Sequence, residues 1–264
     1  MAGVVGVSGS LAGRVAVITG GGRGIGRALA LGMAEAGATV VVSSRTGEQL
    51  EQVVSEIAAR GGQGRAVVAD AADEAQARLP VRAAVERFGR VDVLVNNAGG
   101  SAPGNHDPFS GDAEAFAATL RLNLESAFWT SQEALPVMRT HGFGRIVNIG
   151  SGASKRAAAS VGYTAAKHGL VGLTRQLAVS AAAHGITVNC LCPGWTNTSL
   201  VDFERLGRAK GVSAAQARAD AEAESAQRRV LEPDELVPMA VLLASEAGGG
   251  ITGQVISVDG GYRL

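Results

Sequence analysis

Short runs of β-branched residues alternate along the chain with longer stretches whose apolar positions recur at helical spacing. The runs at 15–19, 39–43, 66–69, 91–95, 145–149, 186–191 and 254–258 predict strands. The stretches at 28–36, 48–59, 75–88 and 163–183 predict helices, and their many alanines combine high helix propensity with close approach to a sheet. Strands separated by helices are joined by right-handed crossovers, so the pattern predicts an α/β fold, a doubly wound parallel sheet covered on both faces. The rhythm breaks at about 195–230, a stretch rich in Ala, Arg and Glu. It reads as one or two short helices folded over the carboxyl edge of the sheet, where open α/β sheets bind ligands, and hence as a substrate lid. Residues 1–12 are small and without periodicity and read as a flexible extension ahead of one domain spanning 13–264.

Composition narrows the function. The 24 basic and 24 acidic residues cancel and no basic run occurs, which argues against a nucleic-acid partner. No stretch is long enough to span a bilayer and the amino terminus lacks the features of a signal peptide, so no membrane partner and a cytoplasmic location are expected. Cys190 and Cys192 fall on the same face of one predicted strand, too close in sequence for an ordinary disulfide, and four scattered histidines supply no metal site.

The chemistry gathers at strand ends. Thr19-Gly20-Gly21-Gly22-Arg23-Gly24-Ile25-Gly26 follows the first strand and opens the first helix. Its glycines let backbone amides approach a pyrophosphate at the positive end of the helix dipole. Asn96-Asn97-Ala98-Gly99 follows the fourth strand, Asn123 lies within Leu122-Asn123-Leu124, Ser151 follows the fifth strand, and Pro193-Gly194 ends the sixth. Tyr163 and Lys167 stand at i and i+4, one face of a helix, so an ammonium lies beside a phenol. A phenol with a pKa of about 10 is a poor base at neutral pH, and a neighbouring cation that favours phenolate suits it to proton exchange with an alcohol.

Together these motifs resemble the short-chain dehydrogenase/reductase family, from about Arg14 to the Val258-Asp259-Gly260-Gly261 terminus. The resemblance implies a Rossmann-type sheet of about seven strands, a nicotinamide cofactor, no catalytic metal, and a homotetramer or homodimer. It implies that Tyr163 exchanges the proton with the carbonyl oxygen, Ser151 orients that oxygen, Lys167 also reaches the nicotinamide ribose, and Asn123 holds a water in a proton relay. The interval from Ser151 to Tyr163 is one residue shorter than in many members, which leaves Ser154 as a rival to Ser151. Cofactor contacts carry over to Asp70 and Ala71 at the adenine, to Asn97, Ala98 and Gly99 beside the ribose, to Pro193 and Gly194, and to Thr196 and Thr198 at the carboxamide.

The second strand ends Val41-Val42-Ser43-Ser44-Arg45, placing neutral Ser44 where an NAD-preferring relative carries an acid and adding a guanidinium suited to a 2′-phosphate. With Arg23 in the glycine loop, this predicts NADP(H) in preference to NAD(H). The expected reaction is hydride transfer between NADP(H) and a small-molecule ketone or secondary alcohol. Two rivals stand beside it, a 3-oxoacyl thioester reductase and a non-catalytic nucleotide-binding protein on the same fold. Substrate identity is not encoded in these motifs; Lys155, Arg156 and His106 are open candidates for substrate contact.

Overall fold

A computed structural model describes residues 9–264. The β-branched runs become β1 (Val15–Thr19), β2 (Thr39–Ser44), β3 (Gln63–Val68), β4 (Val93–Asn96), β5 (Gly144–Ile149), β6 (Ile186–Pro193) and β7 (Val255–Val258). All seven lie in one sheet in the order β3-β2-β1-β4-β5-β6-β7, every neighbouring pair parallel. Strands alternate with helices α1 (Gly24–Glu35), α2 (Gly47–Ala59), α3 (Glu74–Ala77), α4 (Leu79–Phe88), α5 (Ala113–Leu120), α6 (Ser126–His141), α7 (Val161–Ala181), α8 (Phe203–Lys210), α9 (Ala214–Ala223) and α10 (Val237–Ala244).

Period-2 alternation in β1 shows how both faces are filled. Ala16 and Ile18 join a cluster with Leu29 and Met33 of α1 and Leu243 of α10, while Val15 and Val17 join Val81 of α4, Met138 of α6 and Ala178 of α7. The winding reverses between β1 and β4, and the crevice outside their carboxyl ends is the switch point where such sheets take ligands. At the opposite edge, the buried Asp92 carboxylate accepts from the Val15 N–H at 2.9 Å and pairs with Arg90 at 2.6 Å and Arg14 at 3.2 Å. It thereby fastens the amino ends of β1 and β4.

The structure corrects the sequence reading in three places. The expected single helix at 75–88 breaks at Arg78 into α3 and α4, because Pro80 has no N–H for an intrahelical bond and sits instead in the first turn of a new helix. β3 begins at Gln63, ahead of its apolar run, by pairing Gln63 with Thr39. The expected flexible extension at 1–12 is anchored by Leu11, which is fully buried against the α1 face and donates its N–H to Ala36 O at 2.9 Å. Residues 1–8 lie outside the described residues. Leu11→Ala is expected to lower unfolding free energy by about 2–5 kcal/mol, read as a drop in urea midpoint at unchanged slope; an unmoved midpoint would show that Leu11 carries no load.

Candidate active site

The glycine loop after β1 is shaped by what cannot fit. A Cβ on Gly20, whose φ is +64°, would lie 2.9 Å from Asn97 Nδ2, and one on Gly26 would lie 2.2 Å from Gly20 O. The loop is therefore folded back against the chain after β4, and its amides open the twelve-residue helix α1. Asn97 ties the two sides of the crevice: its Nδ2 donates to Thr19 O at 2.9 Å and Gly20 O at 3.1 Å. Thr19 Oγ1 returns the contact by accepting the N–H groups of Asn97 and Ala98 at 3.1 and 3.0 Å.

The prospective acid/base groups meet at the ends of β5 and α7. Ser160 caps α7 by accepting the Tyr163 N–H, so Tyr163 stands half-buried in the first turn and Lys167 one turn deeper. Lys167 is 4% exposed, and its Nζ lies 5.6 Å from the centre of the Tyr163 ring. It donates to Ile149 O at 2.8 Å. Among the described residues this ammonium has no carboxylate partner and no second acceptor, an uncommon state for a buried charge with three donors. Ser151 follows β5 after Gly150 and caps the short turn Gly152–Ser154, its Oγ accepting the Ala153 N–H at 3.2 Å. Ser154 Oγ accepts the Ser151 N–H at 3.1 Å, and Ser154 is buried beneath the turn. The hydroxyl of the rival serine is thus occupied in holding the first in place.

Asn123 sits in a π-helical turn, Arg121–Glu125, between α5 and α6. Its carboxamide grips the loop after β4, donating to Gly100 O at 2.7 Å and Thr119 O at 2.8 Å and accepting from the Gly100 N–H at 3.0 Å. A Cβ on Gly99 would stand 2.8 Å from Asn123 Oδ1 and 3.4 Å from Lys167 Nζ, which brings Asn123, Gly99 and Lys167 together.

The remaining expected contacts line the same edge. Ser44 Oγ bonds the Thr46 backbone and lies 3.1 Å from where a Gly22 Cβ would be, and Arg45 and Arg23 are exposed beside it. Asp70 accepts the Ala72 N–H at 2.9 Å in the turn after β3, which also carries Ala71. After β6, a Gly194 Cβ would meet Asp259 O at 2.7 Å, Thr196 Oγ1 donates to Gly194 O at 3.1 Å, and the Thr198 side chain packs on Gly24 beside Ile25. Leu200 lies over Gly100, so the segment leading to α8 crosses the crevice. Three open candidates have partners within the chain: Lys155 donates to Ser257 Oγ at 2.7 Å, Arg156 to Tyr262 O, and His106 Nε2 contacts Ala102 O at 2.7 Å.

Sequence reasoning missed the positioning hydroxyls Thr19 and Thr119, the latter accepting the Ala102 N–H at 3.1 Å. It also missed the buried string from Asn96 through Asn148 to Thr174, joined at 2.8 and 2.9 Å, which fastens β4 to β5 and α7. Threonine at a strand end and asparagine inside apolar strands were the available signals. Beneath the Ser151 turn, Cys190 and Cys192 are free thiols with Sγ atoms 3.7 Å apart, on one strand face as expected. A hydrogen bond from Cys190, with further bonds from Ser151 and Ser154, pulls the Cys192 thiol below its ordinary value against the effect of burial.

The family described as enoyl-(acyl carrier protein) reductase matches residues 20–263. The chain belongs to the short-chain dehydrogenase/reductase family. It is 37% identical to a D-beta-hydroxybutyrate dehydrogenase of Cupriavidus necator, covering 96% of this chain and 98% of that one. Among solved structures it is 41% identical to a candidate NAD(P)-dependent gluconate 5-dehydrogenase from Beutenbergia cavernae with bound NADP at low occupancy, with a TM-score of 0.86 over 95% of this chain and 97% of that one. It is also 32% identical to a variant actinorhodin polyketide ketoreductase with NADPH, with a TM-score of 0.89 over 97% and 99% of the two chains. This member of the family is an oxidoreductase. Among its described residues no cluster of three or more His, Cys, Asp or Glu could hold a metal ion, and no helix is long and apolar enough to cross a membrane. Gly26→Ala is expected to weaken dinucleotide binding at least about tenfold, because the added carbon forces the Gly20 carbonyl out of place. Fluorescence titration with NADPH measures this, and wild-type affinity would remove the glycine loop from the binding site.

Proposed function

We propose that the protein interconverts a small-molecule ketone and its secondary alcohol with NADP(H), Tyr163 serving as the acid/base. The observation that carries this reading is the buried Lys167 ammonium, held beside the Tyr163 ring with a single carbonyl acceptor. A buried cation without a carboxylate partner among the described residues favours an anionic neighbour, and a phenol that must release and regain a proton is such a neighbour.

The residues fit a dinucleotide. The loop from Gly20 to Gly26, closed against Asn97, would hold the pyrophosphate, Lys167 would bond the ribose, and Thr196 and Thr198 would face the carboxamide. The nicotinamide ring, when bound, supplies or accepts the hydride. In reduction Tyr163 gives its proton to the substrate oxygen, which Ser151 orients by hydrogen bonding. Lys167 carries positive charge next to the phenolate left behind. Both N–H donors of the Asn123 carboxamide are used on Gly100 and Thr119, so any relay water would be held by its backbone or by the free lone pair of Oδ1. α8 and α9 would close over the bound substrate and exclude water. NADP(H) is favoured over NAD(H) because Arg45 and Arg23 are exposed beside Ser44, a neutral residue at the strand end that does not repel a 2′-phosphate. Likeness to a polyketide ketoreductase supports a second reading, a 3-oxoacyl thioester reductase. Assaying a 3-oxoacyl thioester beside simple ketones, following NADPH absorbance, separates the two.

Tyr163→Phe is expected to lower kcat by at least about a thousandfold while NADPH affinity stays near wild type, since it deletes the proton donor alone. Substantial residual turnover would sink the assignment. Ser44→Asp with Arg45→Ala should shift the ratio of kcat/KM values toward NADH by about tenfold or more, by adding repulsion and removing attraction. A wild-type enzyme that used NADH as well as NADPH would overturn the stated preference.

A further inference from the structure

The carboxyl terminus turns back into the site. Asp259 Oδ1 accepts the N–H groups of Gly261 at 2.9 Å and Tyr262 at 3.3 Å, curling the chain after β7. The curl zips onto the stretch after α9: the N–H groups of Ala226 and Gln227 donate to Gly261 O and Gly260 O, and Arg263 N–H donates to Glu224 O. Ser225 and Tyr262 form an antiparallel bridge. These bonds drive the Tyr262 side chain inward until only 6% of the residue is exposed.

What the ring meets there is the turn that starts at Ser151. A Cβ built on Gly152 would lie 2.4 Å from Tyr262 Cε1 and 2.6 Å from Cδ1. Gly152 has no positive φ, so its backbone could be adopted by any residue; the ring alone excludes a side chain. From the far side, Arg156 at the end of the same loop donates to Tyr262 O. The serine turn is thus held between Tyr262 above and the buried Ser154 hydroxyl and thiol pair beneath.

Glu224, directly after α9, ties this contact to the helical hairpin. Its carboxylate accepts Trp195 Nε1–H at 2.8 Å and pairs with Arg263 at 2.5 Å. Trp195 in turn packs at a tilt against Phe203 of α8, with ring centres 6.4 Å apart. Burial pushes the Glu224 carboxyl up, but the bonds from Arg263, Trp195 and the Tyr262 hydroxyl prevail and hold it below its ordinary value, so it remains an anion at neutral pH.

We propose that Tyr262 is a positioning residue for Ser151, its ring bracing the Gly152 turn and Glu224 linking that brace to the α8–α9 hairpin. The proposal rests on the reading of Ser151 as the hydroxyl that orients the substrate carbonyl. The brace acts on chemistry through the placement of Ser151 and leaves the glycine loop, on the far side of β4, untouched.

A double-mutant cycle between Gly152 and Tyr262 tests it in the full chain. Tyr262→Ala should lower kcat about tenfold, Tyr262→Phe, which keeps the ring but removes the hydroxyl bonded to Glu224, should lower it by about two- to threefold at most, and NADPH affinity should be unchanged in both. Gly152→Ala should be damaging alone but add little in the Tyr262→Ala background, because the ring it collides with is gone. Tyr262→Leu, which keeps apolar volume without the flat ring, should move kcat in the same direction by less. Independently of turnover, hydrogen exchange at 151–155 should rise in Tyr262→Ala and, to a smaller extent, in Glu224→Gln and Tyr262→Phe, which weaken or remove the hydroxyl–carboxylate bond but keep the ring. Losses in kcat that multiply across the cycle, or exchange at 151–155 that ignores Tyr262, would overturn the brace. If the wild-type enzyme turned over no carbonyl compound, the functional reading would fall, while the exchange measurement would still decide whether the ring braces the turn.

Discussion

The carboxamide of Asn97, donating to the carbonyls of Thr19 and Gly20, closes the carboxyl ends of β1 and β4 onto each other. The winding reverses at that point, and a carbonyl left there without a donor would be costly. One side chain satisfies both. Its reach also sets how near the glycine loop comes to the fourth strand, and so why Gly20 and Gly26 have no space for a side chain. The binding crevice is therefore a consequence of hydrogen-bond accounting at a topological seam, and the other strand ends deliver their groups around it.

The second constraint is the burial of Lys167 without a carboxylate partner among the described residues. A lone ammonium in the interior is unfavourable, and its neighbours are arranged to temper it: the Ile149 carbonyl accepts from Nζ, and Asn123 Oδ1 and Gly99 stand nearby. The π-helical turn at Arg121–Glu125 belongs to this arrangement. By inserting an extra residue into the helix it aims the Asn123 carboxamide at Gly100 and away from α6. Irregular helix, buried cation and glycine without side-chain room occur together because each needs the others.

Strand positions were legible because β-branched runs of strand length are hard to mistake when helices separate them, and β1 was read to its true ends. The site was legible as a set of strand-end motifs. What escaped were features that depend on distant partners. Leu11 looks like part of a small, aperiodic leader, and only the face of α1 makes it a core residue. The π-helical turn around Leu122-Asn123-Leu124 was not foreseen, since an inserted turn leaves no mark on hydrophobic spacing. Lys155 and Arg156 stood as open candidates for substrate contact; their partners within the chain, Ser257 and Tyr262, lie about a hundred positions away. Tyr262 itself, three residues from the terminus, carries no local signal of its contact with Gly152.

The paired thiols under the serine turn have a consequence of another kind. Cys190 and Cys192 have no disulfide and almost no exposure, and a bulky alkylating reagent can touch them only when the strand end or the turn above it opens. Because each molecule contains only these two cysteines, the rate of labelling in native buffer is a clock for that opening. The molecule thus holds an intrinsic gauge of its own breathing, set directly beneath the place where a substrate would be turned over.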